Sequence, residues 1–360
     1  MAATTNDSAA LGIAPLEHFT GARKAAGPAD RLAEVRVRSR VLHDELMDSD
    51  PVAFYKSVGL VRVPYPRSYG FRDAASVPTP LVHILNRLFI VRFRSNEGVK
   101  TLLFSPSDYE ANAETPFFKN LARTTRIFGR RGRDLIAPAL TTVEEAVAAA
   151  GIAPEDVDYI SYDHLHTQDV RRWLGTNGSP GHFPNAKLLV MRQEWESAQA
   201  LLPTQKIWYC PDGTAGVDPA RVVLLDSGVR LGAGVILMAT PGHTEGNHSL
   251  VVRTPDGVMV SSENGIGPDA YAPEHSKIPG VAAYARRYGV EVIMNANTLE
   301  GAVDQYISMV QEKTVAGPSM AHGLFPNVVC SSEFTHYRLF PGMRPTANFG
   351  DLEYGDVNEI

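Results

Sequence analysis

The stretch Tyr159-Ile160-Ser161-Tyr162-Asp163-His164-Leu165-His166-Thr167-Gln168-Asp169 most constrains what this chain can become, because it places two imidazoles one residue apart at the end of a β-like run. Residues i and i+2 of a strand point to the same face, so His164 and His166 aim at one ion if the strand continues to His166. Neutral imidazole nitrogens suit zinc, copper, iron or nickel, and three protein ligands plus an open position is the usual arrangement of a catalytic zinc. A His-x-His pair alone is weak evidence, since an amphipathic strand can carry two histidines by chance. The rest of the chain has to supply further ligands.

With 360 residues, 44% of them hydrophobic and 21% charged, the chain can bury a substantial core as one large domain or two small ones. A formal net charge of −6 gives no general attraction to nucleic acid or anionic lipid. The one basic cluster, Arg123, Arg126, Arg130, Arg131 and Arg133, is short and reads as a solvated loop or helix face. Cys210 and Cys330 lie far apart, without the spacing of a disulfide framework or a Cys-rich zinc site. There is no signal-peptide pattern at the start and no run of about eighteen uncharged apolar residues, so the expectation is a cytoplasmic protein with no membrane span.

Residues 1–30, rich in Ala, Thr, Gly and small polar types, read as a loosely ordered arm. Helical spacing of Leu32, Val35, Val37, Val41, Leu42 and Leu46 predicts a helix over 31–46. The segment 61–80 contains Pro64, Pro66, Pro78 and Pro80 and reads as mostly turn or extended chain. This gives an N-terminal arm and helical extension over 1–76, a catalytic domain over 77–345 and a tail over 346–360. Within the domain, strands are expected at 88–93 and 99–104 as a hairpin, at the histidine run, and at 187–191, 221–225, 234–238, 249–253 and 257–260. Thr142 with Glu145 forms a capping box for a helix over 143–150 that Gly151 stops, and further helices are expected at 281–288 and 301–313. Strands interspersed with helices give an α/β (α+β) protein, with sheets covered by helices.

Beyond the first pair, Thr240-Pro241-Gly242-His243-Thr244 puts a histidine in a turn directly after an apolar strand. Glu263 follows the apolar run 257–260, and His322 lies in the small-residue loop Ser319-Met320-Ala321-His322-Gly323. With 150–158 leading into His164-Leu165-His166, then Phe183-Pro184-Asn185-Ala186 and Glu194-Trp195, these segments resemble the metallo-β-lactamase superfamily from about residue 88 to 325. Within it the chain resembles the branch of N-acyl-homoserine lactonases and related hydrolases.

The resemblance implies a four-layer αββα sandwich with a metal site at one edge, and a first metal held by His164, His166 and His243. A second metal would need the positions of Gln168, Asp169, His322 and Glu263. Here the family's His-x-His-x-Asp-His reads His-x-His-x-Gln-Asp, the bridging aspartate is Glu263, and the early Asp-Thr-Gly is replaced by Ser105-Pro106-Ser107-Asp108. Gln168 is a poor ligand, but Asp169, His322 and Glu263 form a set acceptable to zinc, manganese or iron, so one or two ions are equally open. Asp169 and Glu263 are the carboxylates available as proton acceptors. Asp163 reads equally as a group orienting a ligand or as a solvated turn acid.

The implied function is a hydrolase that uses a metal-bound hydroxide on a small, mainly apolar molecule. Its chemistry would be lactone or ester opening, or hydrolytic displacement from an activated aromatic ring. A phosphotriesterase-like hydrolase is one alternative. Another is a non-catalytic subunit of a hetero-oligomer, motivated by the changes at 168, 169 and 263. A homo- or hetero-oligomer, such as a dimer using the N-terminal segment, is expected. Trp173, Phe117, Phe118, Tyr271 and Phe325 are candidates to line a pocket.

Overall fold

The long apolar runs of this sequence are buried on both faces, and the alternation along each strand decides what each face meets. In the strand Leu81–Ser95, Leu88 and Ile90 join a core cluster with Leu103, Ile160 and Leu188, while Phe89, Val91 and Phe93 point the other way into a cluster with Phe104, Leu189 and Val223. The second strand system repeats the pattern. Val235, Leu237, Leu250 and Val252 enter that same second cluster, whereas Ile236, Met238, Val251 and Val260 join a third one. The shared cluster therefore lies between two sheets, and the other two clusters are the outer faces, which helices must cover.

The first outer face is covered by the helix Val143–Ala149 through Val143, Ala146 and Val147. The opposite one is covered by Pro28–Met47 through Leu42 and Leu46 and by Ala302–Ala316 through Met309, Val310 and Val315. Helix, sheet, sheet, helix: the chain is the four-layer αββα sandwich expected from the sequence. Each fully buried Leu, Val, Ile or Phe contributes about 1.5–3 kcal/mol, so the fold is held mainly by these three apolar seams.

The computed structural model describes residues 11–125, 129–296, 301–338 and 343–358. Of the predicted basic cluster, Arg126 and the side chains of Arg130, Arg131 and Arg133 lie outside the described residues. The larger sheet has eight strands. Glu353–Gly355, Phe54–Pro66, Leu81–Ser95 and Gly98–Phe104 run antiparallel in that order, followed in parallel by Tyr159–Ser161, Lys187–Met191 and Val222–Leu225, with Ser332–Thr335 also paired to Leu81–Ser95. The smaller sheet is the antiparallel series Ala14–Pro15, Val229–Gly232, Val235–Ala239, His248–Thr254 and Gly257–Ser261.

Three local expectations change. The described part of the N-terminal arm is docked on the sheet: Ala14–Pro15 adds a strand beside Val229 and Arg230, and Ile13, Leu16 and Ala22 are buried. Apolar residues spaced through a small-residue segment were enough to dock it. The segment 61–80 is a strand as far as Pro66, because Phe54–Pro66 pairs with Leu81–Ser95 from Phe54 opposite Arg92 to Pro66 opposite Leu81. Pro64 and Pro66 are tolerated because the pairings on the strand's other side, Glu353–Gly355 with Phe54 to Lys56 and Ala139 with Val61, stop short of them among the described residues. Residues on both sides of the expected boundaries at 76/77 and 345/346 thus share one sheet. The tail is further tied in by the fully buried Arg87, whose guanidinium donates to Glu333 Oε2 at 2.6 and 2.9 Å and to Asp351 Oδ1 at 2.9 Å.

Elsewhere local signals hold. Thr142 Oγ1 accepts from Glu145 N and Glu145 Oε2 accepts from Thr142 N, closing the capping box, and Gly151 takes φ +76° just after the helix. Val281–Tyr288 forms as predicted, with Gly289 left-handed at its end.

Candidate metal centre

The strand Tyr159–Ser161 lies inside the larger sheet, between Gly98–Phe104 and Lys187–Met191. It stops at Ser161 and does not reach the histidines. Beyond it the chain leaves the ladder, His166 makes an isolated bridge with Tyr209, Thr167 N donates to Trp208 O at 2.7 Å, and Thr167 takes φ +63°. His164 and His166 are therefore presented by a buried loop rather than by strand periodicity, yet they still meet. Their ring centroids are 4.9 Å apart.

The third histidine comes from the other sheet. The turn joining Val235–Ala239 to His248–Thr254 is closed by Thr240 N to Asn247 O at 3.0 Å and Gly242 N to Thr244 O at 2.7 Å. Gly242 has φ +146°, and a Cβ there would fall 2.1 Å from Gln305 Cα, so only glycine lets this turn press against the helix Ala302–Ala316. His243 is thereby carried to 4.5 Å from His164 and 5.3 Å from His166, centroid to centroid. Its backbone N–H donates to Asn264 Oδ1 at 3.0 Å. Asn264 in turn donates to Glu312 Oε1 at 2.6 Å, and Glu312 is fully buried.

One ring nitrogen from each of His164, His166 and His243 lies within 4.8 Å of the other two. All three side chains are buried. Among the described residues, both nitrogens of His243 and the Nδ1 of His166 have no hydrogen-bond partner. His164 Nδ1 lies 3.0 Å from Asp163 Oδ1 as an ion-pair contact without hydrogen-bond geometry. Leaving a buried polar atom unpaired costs about 1–3 kcal/mol, so several such nitrogens converging on one point are expensive unless something binds there. The residues present fit a divalent cation.

The charges agree. Burial, reinforced by the neighbouring His164, holds His166 and His243 well below the usual imidazole range, so both are neutral and have lone pairs to give. Burial works against a charge on His164 too, but Asp163 beside it outweighs this and carries the ring up to about 9. Asp163 is itself held below the usual carboxylate range, burial being offset by His164 and by Ser331, whose hydroxyl donates to Oδ2. A carboxylate on a ligand's second nitrogen fixes the ring's orientation. Glu263 stands with Asp163 and His164 in a second group whose ligand atoms also lie within 4.8 Å. Burial, together with the like charge of Asp163, pushes its carboxyl up to about 7.

The remaining predicted ligands are elsewhere. Asp169 is buried, and Arg171 takes both of its oxygens, Nε at 2.9 and 3.1 Å and Nη2 at 2.5 Å, while Arg171 N adds a bond at 3.0 Å. Gln168 Oε1 accepts from Asn112 Nδ2 at 3.2 Å. His322 Nε2 is 2.9 Å from Asn348 O, its ring against Phe349. Among the described residues, groups of three or more potential ligands are limited to the two already given, and neither Asp169 nor His322 belongs to them. An aspartate two residues from an arginine has been taken by it, and the His322 loop faces the tail.

Beside His166 stands an aromatic wall that composition alone could not identify. Trp208 lies 6.3 Å from the His166 ring and contacts Phe117 at 4.6 Å and Tyr69 at 5.7 Å. Phe118 meets Phe117 edge to face at 5.3 Å. Of the other predicted pocket residues, Trp173 is buried, Tyr271 is buried with its hydroxyl donating to Glu312 Oε2 at 2.6 Å, and Phe325 packs with Ala272 and Ala347.

No protein-family model matches this chain. An N-acyl homoserine lactonase of a Bacillus species is 30% identical over 122 residues, which is 33% of this chain and 43% of that protein. The N-acyl homoserine lactonase AttM of Rhizobium radiobacter is 31% identical over 127 residues, 31% of this chain and 42% of AttM. The chain thus spans less than half of the curated relatives it matches. Among solved structures, AidC, a dizinc quorum-quenching lactonase, aligns at a TM-score of 0.49 and 10% identity, covering 83% of this chain and 96% of AidC. With its αββα layers and its paired histidines, this chain resembles the metallo-β-lactamase superfamily and, within it, the N-acyl-homoserine lactonase branch, with an altered His-x-His-x-Gln-Asp metal motif.

Proposed function

We propose that this chain is a metal-dependent hydrolase of a small, mainly apolar, lactone- or ester-like molecule, with one divalent ion, zinc in the first instance, at His164, His166 and His243. The observation that carries the reading is the convergence of three buried imidazoles, with both nitrogens of His243 and the Nδ1 of His166 left without a hydrogen-bond partner among the described residues. When bound, such an ion polarises a carbonyl oxygen and lowers the pKa of water toward ~7.

The chain's own residues supply the rest. Asp163 sets its negative charge 3.0 Å from His164 Nδ1, with Ser331 donating to its second oxygen. Glu263, facing His164 and drawn up to about 7 by burial, is the carboxylate that can take a proton from water and return it to the leaving group. A cation at the histidines would draw that value back down and keep Glu263 ionised as a base. Trp208, Phe117 and Tyr69 offer an apolar surface to the substrate and exclude water. The names of the relatives favour a lactone over other electrophiles.

A single ion is favoured because the second set is spoken for. Asp169 is held by Arg171, Gln168 by Asn112 and His322 by Asn348, so a second ion would have to break these contacts to bind. The test is a panel of γ-lactones, aryl esters, phosphotriesters and activated aryl halides offered to zinc-loaded protein and to His243→Ala. Turnover of lactones or esters that is lost in His243→Ala supports the reading; turnover that survives the substitution, or none with any substrate, contradicts it.

A further inference from the structure

We infer that Glu194 is a positioning residue that holds the two ligand-bearing loops, one from each sheet, at the separation metal binding needs. The inference rests on the reading that His164, His166 and His243 take an ion. Glu194 lies on the helix Arg192–Gln199 and is fully buried. Its Oε1 accepts from Leu165 N at 2.8 Å, and Leu165 stands between His164 and His166. Its Oε2 accepts from Thr244 Oγ1 at 2.6 Å, and Thr244 follows His243. Tyr209, the bridge partner of His166, brings its hydroxyl to 3.4 Å from Oε1.

One carboxylate therefore touches the residue next to every member of the triad. The loop after His243 is pressed onto the same turn of helix, since a Cβ on Gly246 would fall 2.2–2.6 Å from Glu194 N, Cα and Cβ. The two loops leave different sheets, whose largely apolar interface is crossed near the site by Ser161 Oγ to His248 Nε2 at 2.8 Å and His248 N to Asp163 O at 2.9 Å, neither of which reaches the His243 turn. A buried carboxylate shared by donors on both sides adds a directional tie between the two ligand-bearing loops themselves, as charge-assisted hydrogen bonds are short and angle-dependent. Groups that orient ligands from behind are typically worth about 10–100-fold in metal affinity.

The hydrogen bonds also say which substitution should be tolerated. In Glu194→Gln the amide oxygen can keep Leu165 N–H while the NH2 group donates to the Thr244 hydroxyl, which can act as an acceptor. Glu194→Ala loses both contacts, and Thr244→Val removes only one while keeping the shape.

The experiment uses the full chain and cobalt(II), with the dissociation constant read by chelator competition and the coordination geometry by visible absorption. Urea midpoints of the metal-free proteins are measured alongside. Expected are about 10–100-fold weaker cobalt binding and an altered absorption band in Glu194→Ala, a smaller loss in Thr244→Val, and near wild-type binding in Glu194→Gln. Should Glu194→Ala not fold, Thr244→Val against Glu194→Gln decides. Unchanged affinity and spectrum in folded Glu194→Ala and Thr244→Val would overturn the clamp while leaving the metal site standing. No cobalt binding by the wild-type chain would overturn the metal reading itself, and the clamp with it.

Discussion

The two halves of the metal motif meet opposite fates. His164, His166 and His243 are buried, converge to centroid distances of 4.5–5.3 Å and leave ring nitrogens without partners, whereas Gln168, Asp169 and His322 each have a bonding partner of their own. The difference teaches that ligand type and order do not make a site. What marks a binding centre is polar atoms brought together and left unsatisfied, because folding leaves them so only where something else will pair them. Asp169 has the right chemistry for a metal and a better offer two residues away.

The strongest attempt to break this contrast is His164→Ala or His243→Ala. Each should abolish metal retention and cut hydrolysis on the order of a thousandfold, the several kcal/mol a Lewis-acid ion supplies; parallel rate and metal assays check it, and a variant that hydrolyses without metal would break the contrast. Next, Asp169→Asn should leave metal content untouched and lower stability by about 1.5–3 kcal/mol, since charge-assisted bonds to Arg171 are lost from a buried group. Urea unfolding reads that loss directly. His322→Ala should again keep the metal and cost under about 1 kcal/mol, because its partner Asn348 O lies near solvent.

The smallest effect lies far from the centre and sharpens the contrast between buried and exposed charge. Arg36 on the helix Pro28–Met47 grips Glu291 at 2.7 and 3.1 Å and holds that carboxyl below the usual range. A carboxyl lowered in the folded state adds stability that is present above the unfolded value near ~4.3 and is lost as pH falls through the folded one. For a partly exposed pair this is roughly 0.2–1 kcal/mol. Arg36→Ala should therefore be slightly less stable than wild type at pH 7, with the gap closing at pH 3; a gap that persists in acid would assign the loss to packing.

Much of this was readable in the sequence, and what was not has physical causes. Sheets covered by helices followed from the succession of strand-like and helical segments and the four-layer sandwich from the resemblance, while the capping box at Thr142 followed from local chemistry alone. The His164, His166 and His243 grouping was legible through resemblance, although the expected route, a strand running on to His166, was wrong: the strand ends at Ser161. Phe54–Pro66 was hidden by prolines whose harmlessness depends on an edge no local pattern reveals. That Asp169 pairs with Arg171 and His322 with Asn348 was not legible, because those contacts are decided by the folded loops. Trp208 gave no sequence signal of its own, and Glu194, marked only as part of the Glu194-Trp195 segment, gave no sign of the clamp, because its partners Leu165 and Thr244 come from distant loops.

The most direct test of the central claim is metal content per chain by elemental mass spectrometry, on protein purified without chelators, for wild type, His164→Ala and Asp169→Asn. The account predicts one equivalent in wild type and in Asp169→Asn and none in His164→Ala. Two equivalents in wild type with one lost in Asp169→Asn would contradict it, showing that Asp169 leaves Arg171 to hold a second ion.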